Sequence, residues 1–312
     1  MWTFVARRVL AFIPTIMAVT LIIFVVLNLL PGDAAFMRAA GFKRGVANTE
    51  GIAQLRAEWG LDDPAYLRYF KFLGGLLRGD LGTSYRTDQE LSDVIRERLP
   101  VTLKLAGISI LLAVAGGLTF GFLAAITRGS IIDLGCMITA IIGVSVPEFW
   151  VGLMLMLVVA VKWGLLPTSG YVSGNMIYLI LPSLALGFRY IGLIARVTRS
   201  SMLDVASQEY VRTALSKGLS LFAVRWKHIF RNALVPILTI VGLESGWLFA
   251  NTVIIEEVFG LPGIGRLLVV SILGRDIPSM QAAILIMVLA FLILNLFIDV
   301  AYGFLDPRIR HS

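Results

Sequence analysis

The chain has 312 residues, 58% hydrophobic and 15% charged, with 27 Lys+Arg against 20 Asp+Glu and a formal charge of +7. A soluble domain averages about 45–50% apolar and about 25% charged residues, so both departures argue against a water-soluble enzyme and for spanning segments of ~20 residues. One cysteine, Cys136, excludes an intramolecular disulfide and a cysteine metal cluster, and two histidines, His228 and His311, leave metal catalysis little to work with.

The first apolar run covers 9–30, behind Arg7 and Arg8. At ~1.5 Å rise per residue it crosses a hydrocarbon core of ~30 Å, and it exceeds the ~7–15 apolar residues of a secretory signal, so it reads as an uncleaved anchor. Residues 31–100 carry ten basic and ten acidic residues, with Trp59, Tyr66, Tyr69, Phe70 and Phe72 among helix formers. That composition predicts a polar cap of short helices. Further apolar runs cover 101–126, 134–161, 177–195, 234–255 and 282–304. The third is too long for a straight crossing, and Pro147 near its middle removes a helical hydrogen bond, which predicts one bent span. The expected fold class is an all-α polytopic membrane protein with six transmembrane helices. With both termini cytoplasmic, the inner segments hold twelve Lys or Arg and the short outer ones only Arg266, Arg275 and the boundary residue Lys162. The basic excess sets that orientation and puts the 31–100 cap outside.

Residues 196–233 are too long for a linker and carry seven basic residues against Asp204 and Glu209. Val205, Gln208, Val211 and Leu215, with Ala206, Tyr210 and Ala214 beside them, follow a helical period. Lys217-Gly218 supplies a basic last turn and a residue free to adopt the left-handed conformation, and Ser220 is placed to cap a second helix. In that helix Phe222, Trp226 and Ile229 line one face, Arg225, His228 and Arg231 another, and Pro236 marks the next span. The result is two amphipathic helices meeting at Gly218. Their apolar stripe has three candidate covers: membrane lipid, the protein's own span ends, or a groove on a separate soluble subunit.

Ionisable groups inside spans are costly and usually face an aqueous path or a partner. Pro147, Glu148 and Glu244 are candidates for facing such an aqueous path, whereas Asn295 and Asp299, about one turn apart, are expected to hold spans together. Arg189 is also intramembrane, and Glu256 and Glu257 lie at the fifth span's outer end. Gly117-x-x-x-Gly121 reads as a close helix contact. Gly260-Leu-Pro-Gly-Ile-Gly265 is spaced G-x-x-G-x-G without a βαβ context, and reads as a turn at the fifth span's outer end. The sequence contains no G-x-x-x-x-G-K-[ST], H-E-x-x-H or G-x-S-x-G motif.

The run Glu209-Tyr-Val-Arg-Thr-Ala-Leu-Ser-Lys-Gly218, followed by Arg231-Asn-Ala-Leu-Val-Pro236, resembles the EAA-type coupling loop of ABC importer permeases. Leu30-Pro-Gly-Asp33, Gly79-Asp-Leu-Gly-Thr-Ser84, Val144-Ser-Val-Pro147 with Phe149-Trp150, and Leu181-Pro-Ser183 extend the likeness. So do Phe259-Gly-Leu-Pro-Gly-Ile-Gly-Arg266, Arg275-Asp276 and Leu305-Asp-Pro-Arg308. In order along almost the whole chain, they are similar to the B-type subunit of the dipeptide/oligopeptide and nickel group. Ala34, where a Pro is usual, and Glu148, beside the Pro of the third span, depart from that pattern.

The resemblance implies a multi-pass protein of the bacterial inner membrane that pairs with a second homologous permease subunit. It also implies two cytoplasmic ATP-binding subunits and an extracytoplasmic substrate-binding protein. This chain is expected to bind no cofactor, with ATP and Mg used by the partner subunits, and its basic balance gives no reason to expect nucleic acid. In family terms Glu209, Ala214 and Gly218 are coupling positions, and Tyr210, Arg212, Lys217, Phe222 and Trp226 complete the expected ATPase-facing set. Peptides rank first as substrate, ahead of nickel complexes, glutathione or another small solute. An ion-coupled secondary transporter is the alternative of a different class, disfavoured by the absence of an internal repeat.

Overall fold

The computed structural model describes residues 2–29, 35–36 and 49–305. The Leu30-Pro-Gly-Asp33 motif, Ala34, residues 306–312 and the side chain of Asp299 lie outside the described residues. The helices are α1 (Trp2–Leu29), α2 (Thr49–Glu58), α3 (Ala65–Leu77), α4 (Leu91–Ile126), α5 (Ile131–Ser145) and α6 (Glu148–Leu155). They continue with α7 (Ile177–Ala206), α8 (Glu209–Ser216), α9 (Leu221–Ala223), α10 (Arg231–Phe259), α11 (Ile264–Gly274) and α12 (Ile277–Leu305). Wider π-helical stretches, Met156–Lys162 and Val224–Phe230, extend α6 and join α9 to α10. Among the described residues the extended pairing is a single bridge between Thr83 and Glu90.

Among the described residues, five helical segments are long and apolar enough to cross a membrane: Arg8–Leu29, Leu91–Ile126, Ile177–Ala206, Leu221–Phe259 and Ile277–Ile298. The pair α5 and α6 with its extension adds a sixth candidate, bent by 109°. The break falls at Val146, which is extended, and Pro147, whose φ of −60° and ψ of 137° start α6. Proline donates no hydrogen bond to the preceding turn and disfavours a helical residue before it, so the bend expected from Pro147 is local chemistry.

The chain forms two compact units. One is built on Leu103–Leu261, with α7 at its centre packed against α5, α6 and α10. Glycines set the spacing. A Cβ at Gly192 would collide with the Ala140 backbone, and one at Gly117 or Gly121 would meet Ile194 or Thr198. The expected Gly117–Gly121 contact is therefore made with α7, where bare backbone permits the close approach. At the helix ends, Ser130 accepts the Asp133 N–H at 3.2 Å. Asp133 accepts two Arg199 N–H bonds, at 2.6 and 2.8 Å, and the Gly129 N–H at 2.9 Å.

The second unit comprises Ala6–Thr102 and Pro262–Leu292. Leu91, Ile95, Ile264, Leu267, Ala282 and Ala283 form one core, and Ile23, Leu27 and Met280 a second. The ring of Tyr69 on α3 meets Phe24 on α1 at 5.3 Å, so a cap helix docks on the first span. Gly260 ends α10 in the left-handed conformation, φ 64°, giving the expected turn. The short helix α11 follows, outside the expected apolar runs; it buries Ile264, Leu267 and Ser271 on one side and exposes Ile272 and Leu273, and at 11 residues it is too short to cross. Thr102 accepts the Ile264 N–H at its start, at 2.9 Å.

The helices outrun the apolar stretches, and α4 begins at Leu91, ten residues before the 101–126 run and with Pro100 inside it. Residue Val205 and Ala206 belong to the last turn of α7, not to the helix carrying Val211. Pro236 lies inside α10, so the helix beginning at Leu221 enters the span without interruption. A proline inside a long helix removes one bond, which packing of the surrounding span offsets.

Candidate functional site

The segment expected to couple to ATP-binding subunits is compact. Its first helix, α8, buries Val211 and Ala214 and exposes Glu209, Tyr210, Arg212 and Leu215. Ala214 therefore works from inside the fold, whereas Glu209 and Arg212 are presented to solvent. Gly218 follows Lys217 with φ 80° and returns the Leu215 carbonyl bond, at 2.9 Å. Nothing lies within 4 Å of the position a Cβ would take there, so glycine is required by conformation and not by crowding. Ser220 accepts the Ala223 N–H at 3.3 Å, the cap its position predicts.

Beyond that cap the two aromatics separate. Phe222 is 77% exposed and Leu221 61%. Trp226 stacks on Phe230 at 4.9 Å, and both meet the Phe122 edge, at 5.5 and 5.6 Å. The π-helical winding moves Ile229 inward with Val224, so Phe222, Trp226 and Ile229 do not share one face. A helical period of 3.6 could not anticipate this, because a π turn inserts an extra residue. Asn232 on α10 donates to Tyr210 at 3.1 Å and to the His228 carbonyl at 2.7 Å, bracing α8 against the next helix. What results is a solvent-facing apolar and charged patch on a braced hairpin, suited to a protein groove.

Within the spans, Glu148 begins α6 and accepts a hydrogen bond from Asn251 of α10 at 3.3 Å. Asn251 also donates to the Tyr190 hydroxyl of α7 at 3.1 Å, and Tyr190 is buried. Glu244 is half-buried beside a cavity of about 10 Å³ that Tyr190 and Ser245 also line. That volume holds about one water and no substrate. Neither Asn251 nor Tyr190 was singled out by the sequence patterns. The signal existed, since an amide inside an apolar run must find a partner where lipid offers none. Asn295 is half-buried on α12.

The cap joins two of the sequence motifs. Asp276 accepts from the Ser84 hydroxyl at 2.6 Å, the Ser279 hydroxyl at 2.6 Å and the Tyr85 N–H at 3.0 Å, and Asp276 and both serines are buried. Ser84 in turn accepts the Arg86 and Thr87 N–H groups. The Gly79–Ser84 and Arg275–Asp276 motifs are thus two halves of one hydrogen-bonded corner. Among the described residues no group of His, Cys, Asp and Glu could hold a metal ion.

Residues 117–311 match the model of the binding-protein-dependent transport system inner membrane component family, and residues 1–106 its N-terminal counterpart. A putative peptide transport system permease protein of Brucella abortus is 40% identical, with all of both chains covered. The dipeptide transport system permease protein DppB of Escherichia coli K12 is 37% identical over the same full coverage. The glutathione transport system permease protein GsiC of Salmonella paratyphi A is 40% identical, again over the whole of both chains. Among solved structures, the MetNI methionine ABC transporter shares the fold at TM-score 0.58 and 16% identity, covering 68% of this chain and 96% of that one.

Proposed function

The chain belongs to the binding-protein-dependent transport system inner membrane component family, and from that premise we propose that it forms half of a translocation path for di- or oligopeptides. It is a multi-pass permease subunit of a bacterial inner-membrane importer, not itself an enzyme, and it works with ATP-binding subunits and a substrate-binding protein. The observation that carries the peptide reading is full-length similarity to relatives named as peptide and dipeptide permeases. The relative named for glutathione supports a second reading, in which the cargo is that tripeptide.

On this reading six spans cross the membrane, the bent α5–α6 pair counting as one. Both termini are cytoplasmic and the 31–100 cap is outside. A second homologous permease pairs with this chain, and two ATP-binding subunits, using ATP and Mg, dock on Glu209, Tyr210, Arg212, Lys217, Phe222 and Trp226, with Ala214 and Gly218 fixing the hairpin. Their closure is passed to the spans as a rigid-body movement. The continuity of Leu221–Phe259 supports this, since one helix reaches from the docking patch into the membrane. Glu148 and Glu244 face the path beside the Pro147 bend, and Asn295 and Asp299 tie spans together.

Reconstitution in proteoliposomes with the cognate binding protein and ATPases tests the proposal. Labelled dipeptide uptake should require hydrolysable ATP and survive collapse of ion gradients. Uptake driven by a cation gradient without ATP would make the chain a secondary transporter, and uptake of a nickel complex with peptides excluded would reassign the cargo.

A further inference from the structure

The second unit contains a cavity of about 630 Å³ in the cap, within the ~300–1,000 Å³ range of small-ligand sites. It is floored by the first turn of α12 and walled by α2, α3 and the Gly79–Ser84 corner. Three polar or charged groups that line it make no ion pair or side-chain hydrogen bond among the described residues. Gln281 on α12 is only 8% exposed, and its amide has no hydrogen-bond partner among the described residues. Arg68 on α3 is half-buried and makes no ion pair there, and Glu58 at the end of α2 makes none either. The other charges are already engaged: Lys71 donates to Asp63 at 2.6 Å, and Asp80 accepts the Gly82 N–H at 2.8 Å. One wall is aromatic, Trp59 stacked on Tyr85 at 3.9 Å with the rings parallel. Tyr85 is held there by its N–H bond to Asp276.

A half-buried guanidinium, an exposed carboxylate and a largely buried amide line one cavity without pairing with each other, a set complementary to a small zwitterion with a polar middle. The Gln281 amide lines the cavity without a bond to the fold, so it is free to hydrogen-bond with an occupant. We propose that this cap cavity binds a free dipeptide, its carboxylate on Arg68, its ammonium on Glu58, its amide on Gln281 and a side chain against Trp59 and Tyr85. The inference rests on the peptide reading above and adds to it a binding site in this subunit, separate from the binding protein.

The test uses the assembled permease–ATPase complex in nanodiscs without binding protein, and tritiated Ala-Phe as probe. Saturable binding is expected. Arg68→Gln and Gln281→Leu should each weaken it about tenfold or more, as loss of a charge-assisted or buried hydrogen bond does, and Arg68→Lys should restore part of it. The C-amidated dipeptide probes the Arg68 contact on the unaltered protein and should also bind about tenfold more weakly. A benzophenone dipeptide should label the Trp59–Tyr85 wall. Absence of saturable binding, equal affinity for the C-amide, or labelling confined to the spans overturns the proposal, as does a cavity wall crosslinked only by the binding protein once that is added. Dipeptide uptake by the complete importer without such binding rejects the cavity and leaves the peptide reading standing. Binding without any peptide uptake rejects the transport cargo and keeps the cavity.

Discussion

Asp133 illustrates how a carboxylate is retained beside an apolar helix. It caps the turn at Gly129 and grips Arg199 of α7 through two parallel bonds, so each charge is satisfied where little water reaches it. Removing one partner leaves the other stranded, and Arg199→Ala should cost about 3 kcal/mol, the low end of the buried range because Arg199 keeps some exposure. A melting measurement in detergent checks it; the pair contributes little if the Asp133→Asn, Arg199→Gln double variant and both single variants melt with the wild type. Asp276→Asn in the cap should be similarly harmful, because that residue receives three donors at once. Burial pushes the Tyr85 phenol up from its ordinary value, with Asp276 adding to the rise and Arg68 opposing it. The unfolded chain then releases this proton first, so stability is full below about pH 10 and falls as pH climbs through the folded value. Tyr85→Phe should remove that alkaline slope from the melting profile, and an unchanged slope would assign it to other groups.

At the scale of elements, the hairpin around Gly218 separates conformation from contact. Gly218→Val meets open space and fails only because a branched residue resists a positive φ, at about 1–2 kcal/mol. Binding-protein-stimulated ATP hydrolysis should fall while the subunits still co-purify at high concentration; unchanged stimulation would remove Gly218 from the coupling path. Phe222 and Trp226, alike in the sequence, should part company. Phe222→Ser should weaken co-purification of the ATP-binding subunits with no change in melting, since its ring is free, whereas Trp226→Ala should lower the melting point through the lost Phe230 and Phe122 contacts. The break at Pro147, the Ser220 cap and the Gly218 turn were legible because each depends on one residue's covalent geometry. The extension of α7 to Ala206, the uninterrupted entry through Pro236 and the helix α11 were not. Hydropathy marks where a chain meets lipid, and helices continue past that boundary whenever their backbone bonds are still made.

For the whole molecule, charge and hydropathy make a topological prediction. In a Cys136→Ser background, a membrane-impermeant maleimide should label Thr87→Cys from outside the cell and Ser216→Cys only after permeabilisation; both positions are exposed. The reverse pattern would invert the orientation. The sequence by itself determined the membrane class, the candidate spans, the bend at Pro147 and the family, because hydropathy, proline geometry and ordered motifs are properties of neighbouring residues. Only the tertiary structure decided that Glu148 meets Asn251 and Tyr190, that Ser84 and Asp276 close one corner, and that Arg68, Glu58 and Gln281 line one cavity. The residues of each set lie far apart in the chain, and no local period encodes which distant donor will satisfy a buried acceptor. That choice is made when the helices pack and polar groups shut away from water are driven to find partners.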